Sequence, residues 1–113
     1  MFTVDFHVHP ITLKEVSEKD EKLLENVRRV FSLLPMVQST RILVESLEAA
    51  DVDKTVLLPI DCETTHGCSL PSNRIIAQVV DQYPDRFIGF ASVDPNKGDL
   101  ALEELDRSVR GLK

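Results

Sequence analysis

Asp5, His7 and His9 alternate along one short apolar stretch, Val4-Asp5-Phe6-His7-Val8-His9-Pro10. Side chains on a β-strand point to opposite faces with a period of two, so in a strand these three share one face while Val4, Phe6 and Val8 take the other. Neutral imidazole is the commonest protein ligand for zinc and similar divalent ions. A ligating histidine also needs a carboxylate or carbonyl behind it, and Asp5 is placed to be that support. The pattern can therefore hold a metal through His7 and His9, with Asp5 available to orient an imidazole, but spacing alone does not assign one. A mononuclear site takes three or four ligands, so His-x-His is only part of one. The alternative is a pair of histidines that merely hydrogen-bond at the mouth of a loop.

A second group of chemistry-bearing residues lies between Asp61 and Pro71, where Cys62, His66 and Cys68 can all bind metal. Their Cys-x3-His-x-Cys spacing lacks the paired Cys-x2-Cys knuckles of structural zinc sites. The segment therefore reads as a loop containing Gly67, with Asp61 and His66 as candidate substrate contacts. Two cysteines are too few for a disulfide scaffold and are expected to remain thiols in a reducing compartment.

The elements that must position these residues alternate between strand and helix. After the first strand, Thr12-Leu13-Lys14-Glu15 has the spacing of a capping box and predicts a helical turn. A helix from about Asp20 to Leu34 follows, with Leu23, Leu24, Val27, Val30, Phe31 and Leu34 on one stripe. A crossover helix is predicted over Thr40 to Ala50, capped by Ser39. The interval from strand to crossover helix is about thirty residues, against roughly 2–6 for an ordinary βα loop, so residues 11–38 read as a helical insertion, a lid over the site. Thr55-Val56-Leu57-Leu58-Pro59-Ile60 is a nearly continuous apolar run, as in a parallel strand covered on both faces. Ser72 caps a helix running to about Tyr83, and Phe87 to Val93 is a third strand whose small residues leave room toward a crowded interior. A last helix, Asp99 to Val109, is predicted to bury Ala101, Leu102, Leu105 and Val109. Gly111 then stops it, and Leu112-Lys113 would open a fourth strand.

The opening Asp5-x-His7-x-His9-Pro10 resembles the first barrel strand of the amidohydrolase superfamily, in its amidohydrolase-related branch of metal-dependent hydrolases and decarboxylases. Tyr83-Pro84-Asp85-Arg86-Phe87-Ile88-Gly89-Phe90-Ala91-Ser92-Val93-Asp94-Pro95 looks like that branch's third strand and its approach. The resemblance implies an α/β fold of parallel βα units, the first three strands and a stub of the fourth of a TIM (β/α)8 barrel. Such barrels take ~250 residues, and this chain has 113, so residues 1–113 match the N-terminal part. The family's chemistry implies a divalent metal, most often zinc, at the barrel's C-terminal mouth. There it activates water for attack on an amide, lactone or related bond of a small-molecule substrate. Some members remove a carboxyl group instead. Carried over by position, only His7 and His9 match metal ligands; no catalytic acid or base has a counterpart before Lys113, and Lys113 itself is given no role. The 113-residue chain alone is therefore expected to be inactive. A non-catalytic α/β binding or assembly module is the remaining alternative.

Composition narrows the partners. A net charge of −6, with no basic stripe interleaved with aromatics, argues against nucleic acid. No apolar run reaches the ~20 residues of a membrane span, and no secretion signal is seen, so a cytoplasmic location is expected. Three strands in consecutive order leave two sheet edges open. The expected remedy is either a homo-oligomer or a C-terminal remainder.

Overall fold

The computed structural model describes residues 1–112. Along the chain run β1 (Val4–Val8), α1 (Lys14–Lys19), α2 (Leu23–Phe31), α3 (Thr40–Ala49), β2 (Lys54–Leu57), β3 (Asp61–Cys62), α4 (Glu63–His66), β4 (Cys68–Ser69), α5 (Asn73–Gln82), β5 (Phe87–Gly89) and α6 (Asp99–Arg107). β1, β2 and β5 form one parallel sheet in that order, and β3 and β4 form a separate antiparallel hairpin. The α/β architecture of parallel βα units is thus present as a partial barrel, with β2 buried at the centre.

Each strand stops where its backbone donors find other partners. The run predicted over Thr55 to Ile60 ends as a strand at Leu57, because Pro59 has no N–H to give. Leu58 N still donates to the Val8 carbonyl at 2.8 Å, while Ile60 exchanges backbone hydrogen bonds with Leu70 at the base of the hairpin. The third strand was expected to reach Val93 but stops at Gly89. Beyond it, the Asn73 side chain accepts from Ser92 N and donates to the Ser92 carbonyl, both at 2.9 Å. Gly89 also turns its bare Cα outward: a Cβ there would lie 3.0 Å from Ile76 Cγ2 and 3.2 Å from Val80 Cγ2. The small residue makes room for α5, not for the barrel interior.

Residues 11–38 are built into the core. Lys14 N donates to the Gln38 carbonyl and Gln38 N to the Thr12 carbonyl, which clips the two ends of the insertion together. Val16, Leu23 and Val27 are fully buried in one apolar cluster with Leu47, Leu57 and Phe87. The capping box does not form: Leu13 precedes α1 without any side-chain cap. Glu15 instead accepts from Thr40 N at 2.8 Å and Thr40 Oγ1 at 2.7 Å, satisfying an orphan donor at the start of α3. Burial alone would raise the Glu15 pKa, but the Thr40 hydroxyl and amide outweigh it and lower it. Ser39 caps α3 as predicted, through Ile42 N. α2 ends earlier than expected, at Ser32 with φ 54°, which leaves Leu33 and Leu34 exposed.

The last helix departs most from expectation. Ala101 is buried, but Leu102, Leu105 and Val109 are exposed, with no other element among the described residues covering them. Gly111 and Leu112 do not open a fourth strand. They continue a wide helical turn, Ser108–Leu112, that packs back against α5, and Lys113 lies outside the described residues.

Candidate functional site

The two histidines converge. His7 Nε2 and His9 Nε2 are 3.0 Å apart, with the rings nearly perpendicular at 83°. His9 Nδ1 lies 2.9 Å from the Leu58 carbonyl oxygen, at the end of β2. A carbonyl only accepts, so Nδ1 carries the proton, and a neutral His9 has its lone pair on Nε2, facing His7. His7 Nε2–H therefore donates to that lone pair, and an ion taking its proton's place, with Zn–N bonds of ~2.0–2.1 Å, would need the two nitrogens to part slightly. The pair is therefore a fitting donor set for a divalent metal, though an incomplete one. Among the described residues no group of three or more His, Cys, Asp or Glu side chains converges on a common point.

Asp5 does not stand behind an imidazole. Its Oδ1 accepts from the backbone N–H of His7 at 3.1 Å. The cause is in the register: Asp5 faces Thr55 and Val8 faces Leu57, so three steps on β1 oppose two on β2. That extra residue breaks strict alternation between Asp5 and His7. The orienting group for His9 is the Leu58 carbonyl, which no side-chain pattern reveals. Its only sequence signal was Pro59 near the end of the apolar run, which brings the end of β2 level with the end of β1.

The segment read as a loop is the β3–α4–β4 hairpin: Asp61 opens β3 and His66 ends α4, and among the described residues neither joins a cluster with the histidine pair. Asp61 is a structural hub. Its carboxylate accepts from Lys97 Nζ at 3.1 Å and from Asp94 N at 3.1 Å, and its own N–H donates to Ser92 Oγ at 3.0 Å. His66 is exposed; its Nδ1 lies 2.8 Å from Thr65 Oγ1 and its carbonyl accepts from Arg29 of α2 at 2.7 Å. Sequence reasoning missed Asp94, Lys97 and Asn73, which join the loops following β2 and β5. Lys97 and Asn73, with Asp61, Ser69, Ser92 and Arg107, are among the residues lining an open cleft of about 560 Å³, and Asp94 holds Asp61 from behind it.

The charges in this network are held firmly. The Thr64 hydroxyl, then its amide, lower the Asp94 carboxyl to about 2, and Glu63 followed by Asp61 raises the Lys97 ammonium above its usual range. A carboxyl depressed on folding adds stability above its ordinary pKa, 3.8 for Asp94, and loses it as pH falls through the folded value. The urea midpoint of the protein is therefore expected to fall between about pH 4 and pH 2. Asp94→Asn should flatten part of that decline; an unchanged slope would mean that Asp94 is not held this way.

Solved structures share this fold. The 4-oxalomesaconate hydratase of Rhodopseudomonas palustris superposes with a TM-score of 0.60 at 17% identity, over 98% of this chain and 40% of the hydratase chain. A 2,6-dihydroxybenzoate decarboxylase in complex with 2,6-dihydroxybenzoate gives 0.58 at 22% identity, over 99% of this chain and 37% of its own. The 2,6-dihydroxybenzoate decarboxylase from Rhizobium gives 0.57 at 19% identity, over 99% and 36%. The chain thus spans about two fifths of the length of these enzymes. No curated protein sequence is a significant match. The family model described as Amidohydrolase matches residues 4–113. With that match running from β1 to the last residue, the chain belongs to the amidohydrolase family.

Proposed function

We propose that this chain supplies the first metal ligands of an amidohydrolase-type hydrolase, with His7 and His9 binding a divalent ion, zinc by the chemistry of two imidazoles. The observation that carries the reading is the 3.0 Å approach of the two Nε2 atoms, with His9 Nδ1 anchored on the Leu58 carbonyl. When bound, such an ion supplies Lewis-acid polarisation of a carbonyl and a nucleophilic water at neutral pH. The chain's own contribution is orientation. Leu58 keeps the His9 proton on Nδ1, and Asp5 holds the backbone of His7. In this reading residues 11–38 wall the site as a fixed cap, and the loop bearing Asp61 and His66 meets a small-molecule substrate in the cytoplasm. Asp61 acts there with Lys97 as a pair, so a carboxylated substrate would compete for the ammonium. Two imidazoles leave the coordination sphere unfilled. Further ligands must come from outside residues 1–112, in a C-terminal remainder or a second copy, and residues 1–113 alone would be inactive.

A decarboxylase is the second reading, supported by the fold's likeness to two 2,6-dihydroxybenzoate decarboxylases. The test is to load the intact protein with zinc and follow two panels. Amides and lactones are scored for hydrolysis, and hydroxybenzoates for carbon dioxide release. Hydrolysis abolished by chelation and restored by zinc supports the hydrolase. Chelator-sensitive carbon dioxide release alone favours the decarboxylase, and turnover indifferent to chelation removes both.

A further inference from the structure

We propose that Cys62 and Cys68 are a site of reversible oxidation, closing to an intramolecular disulfide when the protein meets a peroxide. Both cysteines are free thiols, and their sulfurs lie 4.0 Å apart. They are register partners across the β3–β4 hairpin. Directly opposed residues in an antiparallel pair have Cα atoms about 4.5–5.5 Å apart, within the ~4.4–6.8 Å that a disulfide spans. The backbone is therefore already placed for the bond. Cys62 Sγ points across the hairpin and donates to the Cys68 carbonyl at 3.2 Å, so only side-chain rotation separates it from the other sulfur. The turn that brings them together is short: α4 is a single helical turn, and Gly67 at φ 74° reverses the chain.

The two thiols are not equivalent. Cys62 is half-buried and Cys68 buried, so a small oxidant reaches Cys62 first. Its sulfur displaces hydroxide from hydrogen peroxide to give a sulfenic acid, and the Cys68 sulfur then attacks that sulfur, forming the S–S bond and expelling the second oxygen as water. Two thiols and one peroxide become one disulfide and two waters. The Arg29 guanidinium, 3.6 Å from Cys68 Sγ, faces the attacking sulfur with a positive charge. Burial, then Cys68, with Asp61 and Asp94 adding negative charge, push the Cys62 thiol up to about 11. The first step therefore draws on a small thiolate fraction and accelerates with pH. The same hairpin carries Asp61, so the bond would fix the loop that joins the polar cleft to the end of β2.

The experiment treats the intact protein with hydrogen peroxide, denatures it, alkylates the remaining thiols and maps the peptides by mass. The expected product is a linked Cys62–Cys68 peptide ~2 Da lighter than the sum of its thiols, restored to two alkylatable cysteines by dithiothreitol. Its rate should rise roughly tenfold per pH unit between pH 7 and 10. In Cys68→Ser the reaction should stop at Cys62 with ~16 Da added. Wild-type protein that gains oxygen at Cys62 while Cys68 stays alkylatable, or that links only between molecules, would overturn the proposal. The readout requires no metal and no turnover, so it stands apart from the hydrolase reading.

Discussion

Replacing His7 or His9 with alanine is expected to lower chelator-sensitive turnover of the intact protein by at least ~100-fold, because loss of even an outer support typically costs 10–100-fold in metal affinity or activity. Bound zinc should fall in parallel. His7 is exposed and packs into no core, so its removal should leave the thermal transition of the metal-free protein where it was. Asp5→Ala supplies the contrast. Since Asp5 holds only the backbone amide of His7, zinc affinity should change by less than ~10-fold. Full zinc content and turnover in His7→Ala would sink the metal assignment. A large loss in Asp5→Ala would mean that the carboxylate supports an imidazole after all.

Leu23→Ala should destabilise the protein by about 2–5 kcal/mol, the range for removing a leucine from a packed core. Leu23 has 0% of its surface exposed, and it lies in the insertion that the sequence marks as a lid. A lid that opens independently would let this change pass with little effect on the global urea midpoint. A shared core would not. Leu34, 80% exposed beyond the end of α2, is the control, and alanine there should stay within about 0.5 kcal/mol. If the two variants match, residues 11–38 form a separate unit.

The parts of the fold that were legible in the sequence are those governed by local rules. Ser39 and Ser72 cap the helices that their positions announce, each accepting from the N–H three residues on. The three strands of the parallel sheet also start within one residue of where they were read, whereas the short β3–β4 hairpin, read as a loop, was not seen. Pro59 marked the end of β2 to within two residues, but the end of β5 was not legible, since Gly89 is followed by a long-range contact of Asn73 with Ser92. The same distinction divides the site. His7 and His9 were visible as a pair because two residues of spacing act within one strand. Asp5 was misplaced because the extra residue in β1 shows only against its partner strand. Asp61 was seen as a carboxylate at a strand end, but its partner Lys97 lies 36 positions away, beyond the reach of spacing arguments. Of the stripe expected to be buried on the last helix only Ala101 is, and Leu102, Leu105 and Val109 are not covered by any of the described residues.

The group that orients His9 belongs to the main chain, and every amino acid brings the same carbonyl to position 58. Substitutions there can alter bulk or polarity without deleting the hydrogen-bond acceptor. The vulnerability is displaced onto residues that set the path of the backbone, Pro59 and the buried Val56 and Leu57 beside it. A mutational scan should therefore show tolerance at Leu58 next to intolerance at its neighbours. The genetic footprint of the imidazole's support would then appear beside the contact, not on it.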